Sequence, residues 1–177
     1  MKPQPIIRPS EDHDIPAITD IYAHHVRHTT SSFELDPPDC TEVARRRQAI
    51  LRAGLPWLVA DLEGAVAGYA YAGPYRPRAA YRFTLEDSIY IHPCHMGKGI
   101  GTLLLPRLIE LCEATGSRQM IAVIGGCDNA PSVRLHQKFG FRHVGILESV
   151  GFKFDRCVDT ILMQRALRRP SYALIDR

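Results

Sequence analysis

The chain has 177 residues, 45% hydrophobic and 23% charged, a globular composition that excludes disordered and fibrous classes. Its 22 basic and 19 acidic residues leave a net charge of +3, too small an excess to mark a nucleic-acid binder. No apolar run approaches the roughly 20 residues that span a bilayer. The first ten residues hold no apolar core before Glu11, Asp12 and Asp14, so no signal peptide is visible and a cytoplasmic, membrane-free protein is expected.

Ile15, Ile18, Ile21, Tyr22 and Val26 recur at helical spacing behind acids that suit a helix start, predicting a helix over 14–28. His24 and His25 lie on it and read as solvent-facing. A polar loop follows. Residues 41–53 read as a second helix with Thr41 as N-cap and Gly54 past its end. Two strand-like runs, 56–62 and 65–71, flank Glu63-Gly64, a short-hairpin signal. After a connection rich in Pro, Gly and Arg, residues 84–92 alternate as a strand. A glycine cluster then opens an apolar helix closed by Gly116. A buried strand (120–124), a short helix (130–139) ended by Gly140, and strands near 142–149 and 157–164 complete the order. Helices first, then strands with interleaved helices, indicate one α/β or α+β domain over 1–177, with a core of about 7–165 and a C-terminal tail. Arg45–Arg47 and Arg168–Arg169 read as solvated surface. The five cysteines are scattered without a C-x-x-C pair and read as reduced thiols.

Gly97-Lys98-Gly99-Ile100-Gly101-Thr102 is the most informative stretch. Glycines permit φ > 0 and let several N–H groups point at one guest. The helix N-terminus behind them adds partial positive charge, and Lys98 adds a cation. The stretch reads as an anion site for phosphate or as a bare turn. Neither G-x-x-x-x-G-K-[ST] nor G-x-G-x-x-G is present, so the nucleotide fingerprints of those motifs are absent. His92-x-Cys94-His95 offers metal-capable ligands on an extended chain with no second cluster, and no metal is expected. No G-x-S-x-G supports a serine hydrolase.

The glycine segment, together with Asn129-Ala-Pro-Ser-Val-Arg-Leu-His-Gln-Lys-Phe-Gly-Phe further on, resembles the two signature segments of the GNAT superfamily of acetyl-coenzyme A-dependent N-acyltransferases. Pro56-Trp-Leu-Val-Ala, Tyr71-Ala-Gly-Pro-Tyr and Phe83-Thr-Leu-Glu-Asp-Ser-Ile-Tyr-Ile are similar to its phosphinothricin and methionine sulfoximine branch. The resemblance spans about residues 7–164. One position departs from it, with Met96 where the superfamily carries Gln or Arg.

The resemblance implies a mixed, mostly antiparallel sheet splayed in the middle and flanked by helices. The pantetheine arm of acetyl-coenzyme A would lie in the splay against Ile89, Tyr90 and Ile91. Its pyrophosphate would rest on Gly97, Lys98, Gly99, Ile100, Gly101 and Thr102. It also implies acetyl transfer to the α-amine of a small amino-acid-like molecule, and commonly a homodimer. A non-catalytic acyl-coenzyme A sensor, or acetylation of another amine, is the alternative.

Amine acetylation needs a base, because the ammonium is not a nucleophile. By spacing, Glu86 shares a strand face with Ser88 and Tyr90 and is either a solvent-facing acid or a base; the resemblance makes it the base. Asp87 reads as structural. His136 stands where many relatives place a tyrosine proton donor, and is either that acid or a packed, inert histidine. Asn129 caps the short helix, faces the cofactor or does both, and Ser132 faces the cofactor in the same way. Arg76, Arg78 and Arg82 present guanidinium forks to a carboxylate or serve loop solubility. Tyr75 and Phe33 wall the pocket or belong to the core.

Overall fold

The computed structural model describes residues 3–126 and 129–167. Arg168–Arg169, nearly all of the tail and Cys127 lie outside the described residues. The elements run β1 (Ile6–Pro9), α1 (Ile15–His28), α2 (Cys40–Arg52), β2 (Trp57–Leu62), β3 (Ala65–Pro74), β4 (Thr84–Ile91), α3 (Gly101–Ala114), β5 (Gln119–Gly125), α4 (Ala130–Lys138), β6 (Arg142–Lys153) and β7 (Arg156–Ala166). Short 3-10 turns occupy Asp12–Asp14, Ala79–Tyr81 and Pro93–His95. Seven strands form one sheet in the order β1-β2-β3-β4-β5-β7-β6. Neighbours are antiparallel except β4 and β5, which are parallel.

Each face of the sheet carries its own core. On one side α3 buries Leu104, Leu105 and Leu108 completely, against Leu58, Ala70, Leu85, Met120 and Met163. Small alanines on β3 let this apolar helix approach the sheet. On the other side α1 and α2 cover Trp57, Val59, Tyr69 and Tyr90 with Ile18, Ile21, Tyr22, Val26 and Val43. The Trp57 and Tyr71 rings stack there at 4.2 Å. Alternate strand residues therefore serve two helix layers, which is why the strands read as apolar runs with embedded polar positions.

Three local readings are corrected. β1 was not expected, because Pro3, Pro5 and Pro9 mask it; it survives as a four-residue edge strand, where missing N–H groups are tolerated. The N-cap of α2 is Asp39, not Thr41: its carboxylate accepts from the Glu42 N–H at 2.8 Å. His25 is buried rather than solvent-facing. The Glu63-Gly64 turn is as expected, both residues at positive φ.

Candidate active site

β4 carries the decisive residues. Its register with β3 runs unbroken from Gly68 opposite Ile91 to Pro74 opposite Leu85, so no bulge disturbs alternation. Glu86, Ser88 and Tyr90 face the α1–α2 side; Leu85, Asp87, Ile89 and Ile91 face α3. Glu86 sits half-buried opposite Gly73, and among the described residues none hydrogen-bonds its carboxylate. Burial first, and then the Asp87 charge, push its pKa up to about 7, against a smaller lowering by Arg76. It is therefore a carboxylate that exchanges protons near neutrality.

Asp87, one residue on, meets the opposite circumstances. It is 6% exposed, and its Oδ2 lies 2.9 Å from His136 Nε2 on α4. The other ring nitrogen, Nδ1, lies 2.7 Å from the Ser132 carbonyl. Both ring nitrogens thus point at oxygen acceptors, an arrangement satisfied by the imidazolium. Burial lowers the His136 pKa, the Asp87 charge and hydrogen bonds raise it more, and the net direction is up. Neither ring proton is aimed at an open site. The geometry thus favours the packed reading of His136 over the acid: it fastens α4 to β4.

The sheet opens where expected. β4 and β5 pair only from Thr84 opposite Gln119 to Asp87 opposite Ala122, and among the described residues the last four of β4 have no strand partner on that side. The His92 N–H donates to Ala67, and the Tyr75 N–H to Thr84, across the β3 side. By parity, even-numbered β4 residues spend their main-chain groups on β3, while Ile89 and Ile91 turn theirs into the opening. Tyr90, expected on the cofactor edge, is corrected: its main chain belongs to the β3 ladder.

The glycine loop lies beyond the end of β4. Gly97 and Gly99 adopt φ of 73° and 82°; a Cβ at Gly97 would stand in open space, and one at Gly99 would lie 3.6 Å from Thr102 Oγ1. The N–H groups of Lys98 and Thr102 are taken by the His95 and Gly99 carbonyls, and Thr102 Oγ1 also donates to Gly99. Those of Gly97, Gly99, Ile100 and Gly101 have no main-chain acceptor among the described residues, and they sit at the start of α3. These are the donors an anion would meet, so the free main-chain edge and the glycine loop together fit a phosphate-bearing, amide-bearing ligand. Gly101 has a packing reason as well: a Cβ would stand 2.9 Å from Leu135 of α4. Asn129 occupies the N-cap position of α4, its carbonyl accepting from the Ser132 and Val133 N–H groups, but its side chain makes no cap; its Nδ2 lies 3.5 Å from Ser31 Oγ.

The arginines are exposed on the β3–β4 connection. Arg76 lies over the Tyr75 ring at 5.1 Å and acts electrostatically on Glu86. Arg82 lies over Phe83 at 4.5 Å, and Arg78 begins the Ala79–Tyr81 turn. Phe33, in the α1–α2 loop, packs where Gly125 and Gly151 leave no side chain. Lys153, buried at 4% exposure, donates to the Ser32 carbonyl at 2.6 Å and pins the same loop. Sequence reasoning missed Gly151 and Lys153; Gly151 within an apolar run was the available signal for a close approach. Among the described residues no group of three or more His, Cys, Asp or Glu is arranged to hold a metal, and no helix is long and apolar enough to cross a membrane.

The model of the acetyltransferase (GNAT) family matches residues 18–141. The chain belongs to that family. It is 56% identical over 161 residues to a phosphinothricin N-acetyltransferase of Alcaligenes faecalis, covering 91% of this chain and 82% of the relative. It is 39% identical to an L-methionine sulfoximine/L-methionine sulfone acetyltransferase of Salmonella typhimurium, covering 91% and 94%. Among solved structures, a GNAT phosphinothricin acetyltransferase from Sinorhizobium meliloti in complex with acetyl-coenzyme A superimposes with a TM-score of 0.89 at 45% identity, covering 93% and 89%. This GNAT chain is an acetyl-coenzyme A-dependent N-acetyltransferase with the mixed, splayed sheet of its family.

Proposed function

We propose that the enzyme acetylates the α-amine of a small amino acid of the phosphinothricin, methionine sulfoximine or methionine sulfone type, with Glu86 as general base. The observation that carries this reading is the unpaired Glu86 carboxylate, poised near neutrality on the face that Arg76 overlooks. Acetyl-coenzyme A supplies the acetyl group as an activated thioester. Gly97, Gly99, Ile100 and Gly101 would hold its pyrophosphate, and the free edge at Ile89 and Ile91 its amide-bearing arm. Arg76 and Arg82 offer forks to the acceptor's carboxylate. Glu86 takes the proton of an ammonium whose pKa is around 8 in peptides. The Ile89 and Ile91 N–H groups are the donors available to a carbonyl in the opening. The departing thiol has a pKa near 8.5, so water can return its proton and His136 is not required as an acid.

Three further features belong to this reading. Phe33, held against Gly125 and Gly151, and Tyr75 would bound the acceptor's side chain. Edge strand β6 exposes Val144, Ile146, Leu147, Val150 and Phe152, an apolar surface suited to a homodimer. A cytoplasmic site of action, where acetyl-coenzyme A and free amino acids meet, and a detoxifying role fit the same chemistry. Release of free thiol, followed with phosphinothricin, methionine sulfoximine, an unblocked peptide and a polyamine, tests the assignment. A kcat/KM highest for the amino-acid analogues is expected; equal or greater efficiency with the polyamine would overturn it.

A further inference from the structure

The C-terminal turn of α1 and the residues just past it touch both lips of the opening between β4 and β5. On the β4 side, His25 Nε2 lies 2.8 Å from the carbonyl oxygen of Ile91, the last residue of that strand. A carbonyl only accepts, so Nε2 carries the proton and Nδ1 is bare. Burial holds the pKa of His25 down against the opposing pull of the Ile91 carbonyl, with a smaller lowering by the neighbouring His24. Five residues on, Thr30 Oγ1 donates at 3.3 Å to the carbonyl of Gly125, the last residue of β5. A Cβ on Gly125 would run into the Thr30 carbonyl, so the approach depends on glycine. His25 and Thr30 are each 6% exposed.

Packing alone does not explain the histidine. Its Nδ1 is buried without a partner among the described residues, and an apolar side chain in its place would leave no such orphan. What only a donor can do there is occupy the Ile91 carbonyl. That carbonyl points into the opening by the same parity as Ile89, and would otherwise be a free acceptor on the edge.

We infer that His25 and Thr30 are positioning residues for acetyl-coenzyme A, the end of α1 acting as a fixed spacer between β4 and β5. The spacer keeps the parallel ladder from closing beyond Asp87 and Ala122. It also withdraws the Ile91 carbonyl from use. The edge that remains offers the Ile89 N–H and carbonyl and the Ile91 N–H, and this restricts the register in which an amide-bearing arm can pair. The inference rests on the reading that the arm lies in this opening.

The test uses the full-length enzyme carrying His25→Leu, His25→Gln or Thr30→Val. His25→Leu should raise KM for acetyl-coenzyme A roughly fivefold to tenfold, the worth of one hydrogen bond to a buried acceptor. KM for the amine and kcat at saturation should change by less than about twofold. S-acetylpantetheine, which lacks the pyrophosphate, should show the same proportional loss. His25→Gln restores a donor near the place of Nε2 and should recover most of the affinity; Thr30→Val should give a smaller rise of the same selectivity. An unchanged KM for acetyl-coenzyme A in His25→Leu, an equal rise in both KM values, or no rescue by glutamine would overturn the spacer. Should His25→Leu not fold, Thr30→Val decides, and no selective rise there refutes the inference. Amide exchange of the wild type separates the two layers. No protection of Ile89 and Ile91 on adding coenzyme A defeats the reading of the opening itself; protection with kinetically silent variants defeats only the spacer.

Discussion

Glu86 and Asp87 are consecutive carboxylates on one strand, yet they lead opposite lives. Alternation sends Asp87 to the α3–α4 side, where the buried His136 ring meets its carboxyl at 2.9 Å. It sends Glu86 to the α1–α2 side, where burial pushes its pKa up to about 7 and no hydrogen bond from the described residues holds it. One acid is spent on cohesion; the other is kept available. A single step along a strand thus decides whether a carboxylate is paired or left open, because the step selects which helix layer covers it.

The largest expected effect comes from removing the available acid. Glu86→Gln should lower kcat by at least about a hundredfold, the usual scale for a general base, while acetyl-coenzyme A still binds. The same substitution should stabilise the fold. A carboxyl whose folded pKa is raised binds more protons folded than unfolded between its two values, so its contribution to stability falls as pH rises from the ordinary 4.5 and the loss is complete above about 7. Thermal melts should therefore show Glu86→Gln gaining on the wild type as pH rises from 4.5 to about 7 and keeping that gain above it, by a margin discounted for the solvent its half-buried carboxylate still meets. Equal turnover in the variant would break the comparison.

Removing the cohesive partner should do the reverse. His136→Phe leaves Asp87 buried without its counter-ion and should cost about 3 kcal/mol, or roughly 6–12 °C in Tm. Its kcat, measured below the melt, should stay within about threefold of wild type. The His136 pKa is raised on folding, so the stability its pairing contributes is full below the ordinary histidine value of 6.5 and is lost as pH rises through the raised one. The penalty should thus be largest in acid. With Asp87 unanswered, the pH at which activity rises should also move upward. A large kcat loss with an unchanged melt would return His136 to the role of acid.

Smaller effects sharpen the substrate side. Arg76→Ala should raise KM for the amino acid about tenfold and leave acetyl-coenzyme A untouched, as expected of a lost carboxylate contact. Because Arg76 also lowers the Glu86 pKa, the activity profile should shift slightly to higher pH. Gly151→Ala would set a methyl group against the Phe33 ring. Its expected result is a modest change in preference between long and short side chains, read as a ratio of kcat/KM values.

Much of this was legible in the sequence where the signal is local. Glycine conformations mark the Gly97–Gly101 turn, apolar spacing marks α1 and α3, and alternation alone puts Glu86 and Asp87 on opposite faces. What was not legible depends on partners far along the chain. His25 reads as solvent-facing until Ile91, 66 residues later, turns a carbonyl toward it. Lys153 finds Ser32 across 121 residues. His136 looks equally like an acid or a packed ring until Asp87 and Ser132 take both nitrogens. β6 was drawn too short because it exposes apolar side chains on both faces and breaks register at two places, so no alternation marks its end.

The most direct test of the central claim is the carboxyl titration of Glu86, followed by carbon NMR in the full-length protein with Glu86→Gln assigning the resonance. The account predicts a midpoint near 7, moving further up in Arg76→Ala. A midpoint near the ordinary value of 4.5 would contradict it, because a carboxylate left at that value has been neither desolvated nor set apart from its neighbour.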